Sequence, residues 1–379
     1  MKNQNWNLEK LFKPPKWETV NSDGDIRAVL YENEPYMSKP ARVFAWLGIP
    51  KTGKKNPAMV LVHGGGGTAF KEWVELWNKR GYAAISMDLT GKGLSGRLPD
   101  AGPDETDKEK FFDLFSYGWK ECWTYHGATA VIRANSLLRS LPEIDCSKIG
   151  ITGISWGGYL TGIVAGLDRR FACAVPVYGC GFLQHNSCFI PIFARMTEEQ
   201  RRQWHALCDP SVYVGNAGMP VLFISGTNDF AYPPDSHKMT YSLVKNITFC
   251  IRKEMPHGHS EGWSPEEIYC FTGHHLCGFP GLPEIGAATV SGNIISAVVK
   301  SERKLVKACL VVTQSQTGWK DWVSWKWQEI PAHIGRGNVW AELPEKPKAY
   351  NKTAKTTASA VDIYFLAVVD DRGMYVSTK

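Results

Sequence analysis

The 379-residue chain carries 10 cysteines but no C-x-x-C pair. They stand singly, for example Cys122, Cys146, Cys173, Cys208 and Cys309, which argues against a zinc knuckle and against a disulfide-stapled secreted scaffold. Reduced thiols in the cytoplasm are the expectation. The opening residues Met1-Lys2-Asn3-Gln4-Asn5-Trp6-Asn7 lack the apolar core of a signal peptide, although a trimmed secreted chain would read the same way. No apolar run reaches the ~18 residues a membrane span requires, so no membrane partner is expected. Charge is thin too: 43 Lys and Arg against 37 Asp and Glu leave a formal +6, with no basic block or helix stripe. Nucleic acid is therefore not an expected partner. No sequence feature speaks to oligomeric state.

What the chain has is ordinary globular composition, 44% hydrophobic and 21% charged, and length for one large core plus a smaller one. Residues 26–48 read as two antiparallel strands around Glu32-Asn33-Glu34-Pro35. Residues 57–62 form a continuous apolar run, as in a strand buried on both faces. Further strands at 82–87, 148–152, 171–177, 220–225 and 247–252 alternate with helical segments, the longest at 119–141. This βαβ rhythm predicts an α/β fold with a mainly parallel twisted sheet flanked by helices.

Residues 179–214 are too long for a plain connection and contain a helix opened by Thr197; a cap over the site is expected there. Past Gly278-Phe279-Pro280-Gly281-Leu282-Pro283 the pattern changes. Residues 294–299, 307–312, 321–327, 339–343 and 362–369 read as short strands with no helix between them. The expected organisation is an α/β domain over 1–281 and a small antiparallel β-sandwich over 282–379. Trp319, Trp322, Trp325 and Trp327 cluster in the latter. They read as core packing and an interdomain contact, ahead of a surface that stacks on sugars. Trp322 and Trp327 would fall on opposite faces of a strand.

Chemistry is carried by Gly153-Ile154-Ser155-Trp156-Gly157, between a strand and a helix. A serine on such a sharp turn is forced into strained backbone geometry that exposes its hydroxyl. The hydroxyl is a poor nucleophile until a base takes its proton, and the base needs a third group to orient it. After the strand at 220–225 comes Asp229, the candidate acid, with Asp235 a competitor that could cap the next helix. After the strand at 247–252 comes Pro256-His257-Gly258-His259, which supplies the base twice over. The Trp156 amide is one candidate oxyanion donor. The loop His63-Gly64-Gly65-Gly66-Gly67 offers the other, with Gly65 preferred and Gly64 and Gly66 as rivals. No G-K-[ST] follows, so a phosphate loop does not fit. This chemistry requires no metal and no organic cofactor.

The combination resembles the α/β-hydrolase superfamily, and within it the acetyl xylan esterase, dienelactone hydrolase and prolyl-oligopeptidase-like group. Val60-Leu61-Val62-His63-Gly64-Gly65-Gly66, Asp88-Leu89-Thr90-Gly91-Lys92-Gly93-Leu94-Ser95-Gly96, the stretch 153–158, Gly226-Thr227-Asn228-Asp229 and Gly258-His259 carry the resemblance over residues 26–277. It implies an α/β-hydrolase fold for that part. Related hydrolases carry a Gly-His pair in the last loop, which selects His259 as base and leaves His257 as an alternative base or its neighbour. The implied function is serine-dependent hydrolysis of a carboxylic ester, such as a small-molecule or carbohydrate acetyl ester, through an acyl-enzyme. A dipeptidyl-peptidase-like activity is the alternative; peptidase members usually carry an amino-terminal propeller for which this chain has no room. A non-catalytic binding protein on the same fold is the third reading.

Overall fold

The computed structural model describes residues 5–315, 318–344 and 361–379. Three antiparallel strands open it: Trp17–Asp23 (β1), Ile26–Glu32 (β2) and Arg42–Gly48 (β3). The last two are the pair expected over 26–48, and β1 extends it. Six strands follow: Asn56–Val62 (β4), Ala83–Met87 (β5), Ile144–Ile154 (β6), Cys173–Val177 (β7), Val221–Gly226 (β8) and Ile247–Arg252 (β9). These pair in parallel in the order β5-β4-β6-β7-β8-β9. Strands β5, β7 and β8 are buried along their whole length, because helices cover both faces of a parallel sheet.

The covering helices include Lys71–Lys79 (α1), Trp123–Ser140 (α2), Trp156–Leu167 (α3), Glu198–Cys208 (α4), Pro234–Tyr241 (α5) and Glu266–Cys277 (α6). Helix α2 starts four residues later than expected, since Cys122 is extended and separates it from a 3-10 turn at Trp119–Glu121. Helix α4 opens on a capping box: Thr197 Oγ1 accepts the Gln200 amide at 3.2 Å, and Gln200 Oε1 accepts the Thr197 amide at 2.9 Å.

The carboxy-terminal region adds Ile294–Lys300 (β10), Leu305–Ser315 (β11), Gln328–Pro331 (β12), Asn338–Glu342 (β13), Val361–Asp370 (β14) and Tyr375–Ser377 (β15). Strand β15 pairs antiparallel with β9 through Ser377 and Phe249, and β14, β11 and β12 follow outward. The central sheet therefore has 13 strands. A second antiparallel sheet, built on β10 and β13, packs Ile295, Val299 and Val339 against Leu310, Leu366 and Val368 of the first. One layer of the antiparallel region is thus a continuation of the hydrolase-like sheet.

On the other face of β11 and β14, Cys309, Val311, Phe365 and Ala367 meet Trp322, Trp325 and Trp327. The expected strand at 321–327 is not formed. A 3-10 turn at Gly318–Ser324 replaces it, and Trp322 and Trp327 share one core rather than facing opposite ways. The Trp325 amide donates to Trp322 O at 3.3 Å, so the chain turns between these two rings. The Trp319 side chain lies outside the described residues. Among those described, no helix is long and apolar enough to cross a membrane.

Burial disfavours the charged form of the deeply buried His63, His126 and His237. It pushes the imidazoles of His63, His126 and His237 down to about 4, against an ordinary value of 6.5. A depressed folded value means the unfolded chain takes up protons first as pH falls. Stability from these groups is complete above about pH 6.5 and is lost as pH drops toward 4. Each adds a slope of up to about 1.4 kcal/mol per pH unit in that window. Urea unfolding at pH 7.5, 6 and 5 should show this progressive loss; a flat profile would contradict it.

Candidate active site

Ser155 joins β6 to α3 with φ 57° and ψ −115°, a left-handed conformation rare for a residue with a side chain. Its amide donates to Val177 O at 2.9 Å and its carbonyl accepts the Tyr159 amide at 2.9 Å, so both sides of the turn are pinned. The flanking glycines are required by contact. A Cβ on Gly157 would lie 2.0 Å from Val62 O, and one on Gly153 would lie 2.2 Å from Gly157 O. Here strand, turn and helix touch through backbone.

Asp229 follows β8 and is buried. Its Oδ1 accepts the amides of Ala231 and Tyr232, both at 2.9 Å, which closes a tight turn around the carboxylate. Its Oδ2 lies 2.6 Å from His257 Nδ1. Asp235 sits in the first turn of α5 and accepts the Asn186 amide group at 3.1 and 3.2 Å. It is the helix-end residue of the two.

The partner of Asp229 is His257, not His259 as the Gly-His pair suggested. Gly258 between them is extended, and His259 begins the short helix His259–Trp263, which turns its ring away from Asp229. His259 Nε2 instead accepts the Gly64 amide at 3.1 Å, and the ring packs on Phe70 with centroids 4.8 Å apart. Burial lowers its pKa, in the direction that favours a neutral ring. The His257 ring stacks on Tyr178 at 4.3 Å and meets Phe230 at 4.8 Å.

His63 holds the glycine loop from the other side. Its Nε2 accepts the Leu89 amide at 2.9 Å and its Nδ1 donates to Gly64 O at 2.7 Å. The loop amides are largely taken: Gly64 by His259, Gly66 by Glu105, and Gly67 by Gly64 O. Among the described residues no hydrogen bond engages the Gly65 amide. Trp156 is the first residue of α3, where an N–H has no acceptor within the helix. Two free amides therefore flank Ser155.

Ser155, Gly65, Trp156, Phe189, Phe230 and His257 line one cavity of about 350 Å³. Cys188 and Phe189 reach it from the 179–214 segment expected to cap the site. Larger clefts of about 720 and 770 Å³ lie against α6 and the carboxy-terminal region and beside residues 22–27 and 49–56, away from these groups. Among the described residues no group of three or more His, Cys, Asp or Glu is placed to hold a metal ion.

Sequence reasoning passed over Glu105, Lys110 and Tyr232 beside this site, and read Trp322 as core packing and an interdomain contact. Glu105 fastens Gly66; burial raises its pKa and lowers that of Lys110, whose ammonium stands 3.8 Å from it. The same ammonium lies 4.5 Å from the Trp156 ring centroid. Tyr232 is fully buried beside Ser155, with no contact to it that meets hydrogen-bond geometry. Trp322 Nε1 donates to Asp229 O at 2.6 Å. None belongs to a motif, so only the folded neighbourhood identifies them.

The contact at Gly157 yields a stability test. Gly157→Ala drives a methyl into Val62 O, with backbone on both sides and nothing able to yield. It should cost about 3 kcal/mol or prevent folding, as overpacking of a rigid site does. Urea denaturation reads this directly, and a loss within ~0.5 kcal/mol of wild type would contradict the close approach.

Comparison with known proteins adds likenesses to the sequence and the fold. The acetyl xylan esterase family matches residues 8–194. An acetyl esterase of Xylanibacter ruminicola is 26% identical over 225 residues, covering 53% of this chain and 49% of its own. An uncharacterized peptidase of Bacillus subtilis is 23% identical over 207 residues, covering 50% of this chain and 28% of its own. The chain thus spans about half or less of the curated relatives it matches. An acetyl xylan esterase structure from a Paenibacillus species superposes with a TM-score of 0.59 at 20% identity, over 71% of this chain and 92% of that one. The acetyl xylan esterase from Thermoanaerobacterium gives 0.55 at 18% identity, over 66% and 86%. With this sheet, this turn at Ser155 and these likenesses, the chain has the α/β-hydrolase fold.

Proposed function

We propose that the protein is a serine carboxylic ester hydrolase acting on acetyl esters, with carbohydrate acetyl esters as the leading substrate class. Ser155 is the nucleophile, His257 the general base and Asp229 the group that orients it. The observation that carries this reading is the buried 2.6 Å contact between Asp229 and His257 Nδ1 at a cavity that holds a strained serine.

With Nδ1–H donating to the carboxylate, His257 Nε2 is the nitrogen left to accept the Ser155 proton. The Ser155 oxygen then adds to the ester carbonyl. The oxyanion forms between the Gly65 and Trp156 amides, where fixed dipoles stabilise it without reorganising. His257 returns the proton to the departing alcohol, leaving an acyl-serine, and the same base activates the water that releases the acid. Asp229 holds the imidazolium that exists between these steps. A small acyl group is supported by Trp156 and Phe189, whose ring centroids lie 4.9 Å apart at the cavity wall, and by the likeness to acetyl esterases. Amide hydrolysis by the same groups is the competing reading, and the likeness to a peptidase is what favours it.

Steady-state hydrolysis of p-nitrophenyl acetate, butyrate and octanoate, acetylated xylose and aminoacyl p-nitroanilides tests this. The acetyl esters should be turned over fastest; a preference for the anilides would favour the peptidase reading. Ser155→Ala and His257→Ala should each lose on the order of 10⁶ in kcat. His259→Ala should stay within about tenfold of wild type, because it loses one neutral hydrogen bond to the loop. A dead His259→Ala beside an active His257→Ala would reverse the assignment of the base.

A further inference from the structure

The turn around Asp229 fixes its carboxylate within the loop but does not fix the loop against the rest of the molecule. On one side the loop is tied to β9: the Thr227 amide donates to Arg252 O at 3.0 Å, and Thr227 Oγ1 accepts the Glu254 amide at 2.9 Å. On the other side it meets the 3-10 turn of the carboxy-terminal region. Asn228 Nδ2 donates to the carbonyls of Trp322 at 3.3 Å, Val323 at 3.0 Å and Trp325 at 2.9 Å. Thr227 Oγ1 donates to Asn228 Oδ1 at 2.8 Å, which sets the amide group's orientation. The Trp322 indole N–H returns the favour by donating to Asp229 O at 2.6 Å.

These bonds run between segments 94 residues apart. The anchor is firm, because Trp322 is 9% exposed and shares a core with Trp325, Trp327, Val311 and Phe365. That core rests on Ile251 of β9, and the Tyr375 hydroxyl donates to Ile251 O at 3.0 Å. The two N–H bonds of one side-chain amide in the acid loop are shared among these three carbonyls, of which Trp322 O also accepts the Trp325 amide at 3.3 Å.

We propose that the turn around Trp322 is a clamp on the acid loop. Asn228 and Trp322 are positioning residues: they set the Asp229 carboxylate against His257 and thereby keep the imidazole aimed at Ser155. The proposal rests on the Ser155–His257–Asp229 reading above, and it gives the carboxy-terminal region a part in the reaction. A displacement of about 1 Å in a group that orients a base can cost up to about a hundredfold in rate.

The test uses the full chain with Trp322→Phe, which keeps a ring and removes the N–H, with Asn228→Ala, and with Asp229→Asn as reference. Far-UV circular dichroism and urea midpoints establish folding, and fluorophosphonate burst titration counts competent sites. For p-nitrophenyl acetate, both clamp variants should keep KM within about twofold and lose between about tenfold and about a hundredfold in kcat per competent site. The acid limb of their kcat/KM profiles should move to lower pH, since an imidazolium less well held by its carboxylate forms less readily. Wild-type kcat and an unmoved acid limb in both folded variants would overturn the clamp. So would a fall in rate fully explained by fewer competent sites. If Asp229→Asn itself keeps wild-type kcat, the acid assignment fails and the clamp falls with it.

Discussion

The site depends on the 2.6 Å contact between the Asp229 carboxylate and His257 Nδ1. Asp229 is withdrawn from water, and its other oxygen is occupied by two amides of its own loop. The carboxylate therefore presents Oδ2 to a partner outside its own loop. His257 meets that demand and is held edge and face by Tyr178 and Phe230. A buried carboxylate left without this partner would carry an uncompensated charge, so pairing and ring orientation are set by one constraint.

Three histidines crowd around the glycine loop, and their partners divide the work. His63 bonds only backbone, accepting the Leu89 amide and donating to Gly64 O, and burial holds it neutral. His259 accepts the Gly64 amide, so it too supports the loop as a neutral ring. Of the three, His257 is the ring within hydrogen-bond distance of a carboxylate, and the proposed role as base rests on that pairing. The two neutral rings keep Gly64 in place while the amide of Gly65 stays free beside Ser155.

Much of this was legible locally. The glycines around Ser155 announce a close backbone approach because no other residue survives at 2.0–2.2 Å from a carbonyl oxygen. The apolar runs at β4 to β9 announce a parallel sheet because both faces must be covered. His257 and His259 could not be separated in the same way: they share one loop, and the bond to Asp229 is decided by where a short helix begins at His259. The tryptophan-rich stretch was misread as a strand, since its spacing serves a turn whose purpose is tertiary. Strand β15 joins β9 across more than a hundred residues, a pairing that no local pattern encodes. Glu105 and Lys110 escaped notice for the same reason: each is an ordinary polar residue until folding brings it to the glycine loop.

The central claim is that Ser155 is a nucleophile made reactive by this arrangement. Its most direct measurement is reaction of the intact protein with a fluorophosphonate probe, followed by peptide mass spectrometry to locate the adduct. The account predicts one adduct per chain, on Ser155, formed in the folded protein and absent after urea denaturation. No adduct on the folded protein, or an adduct on a different residue, would contradict it.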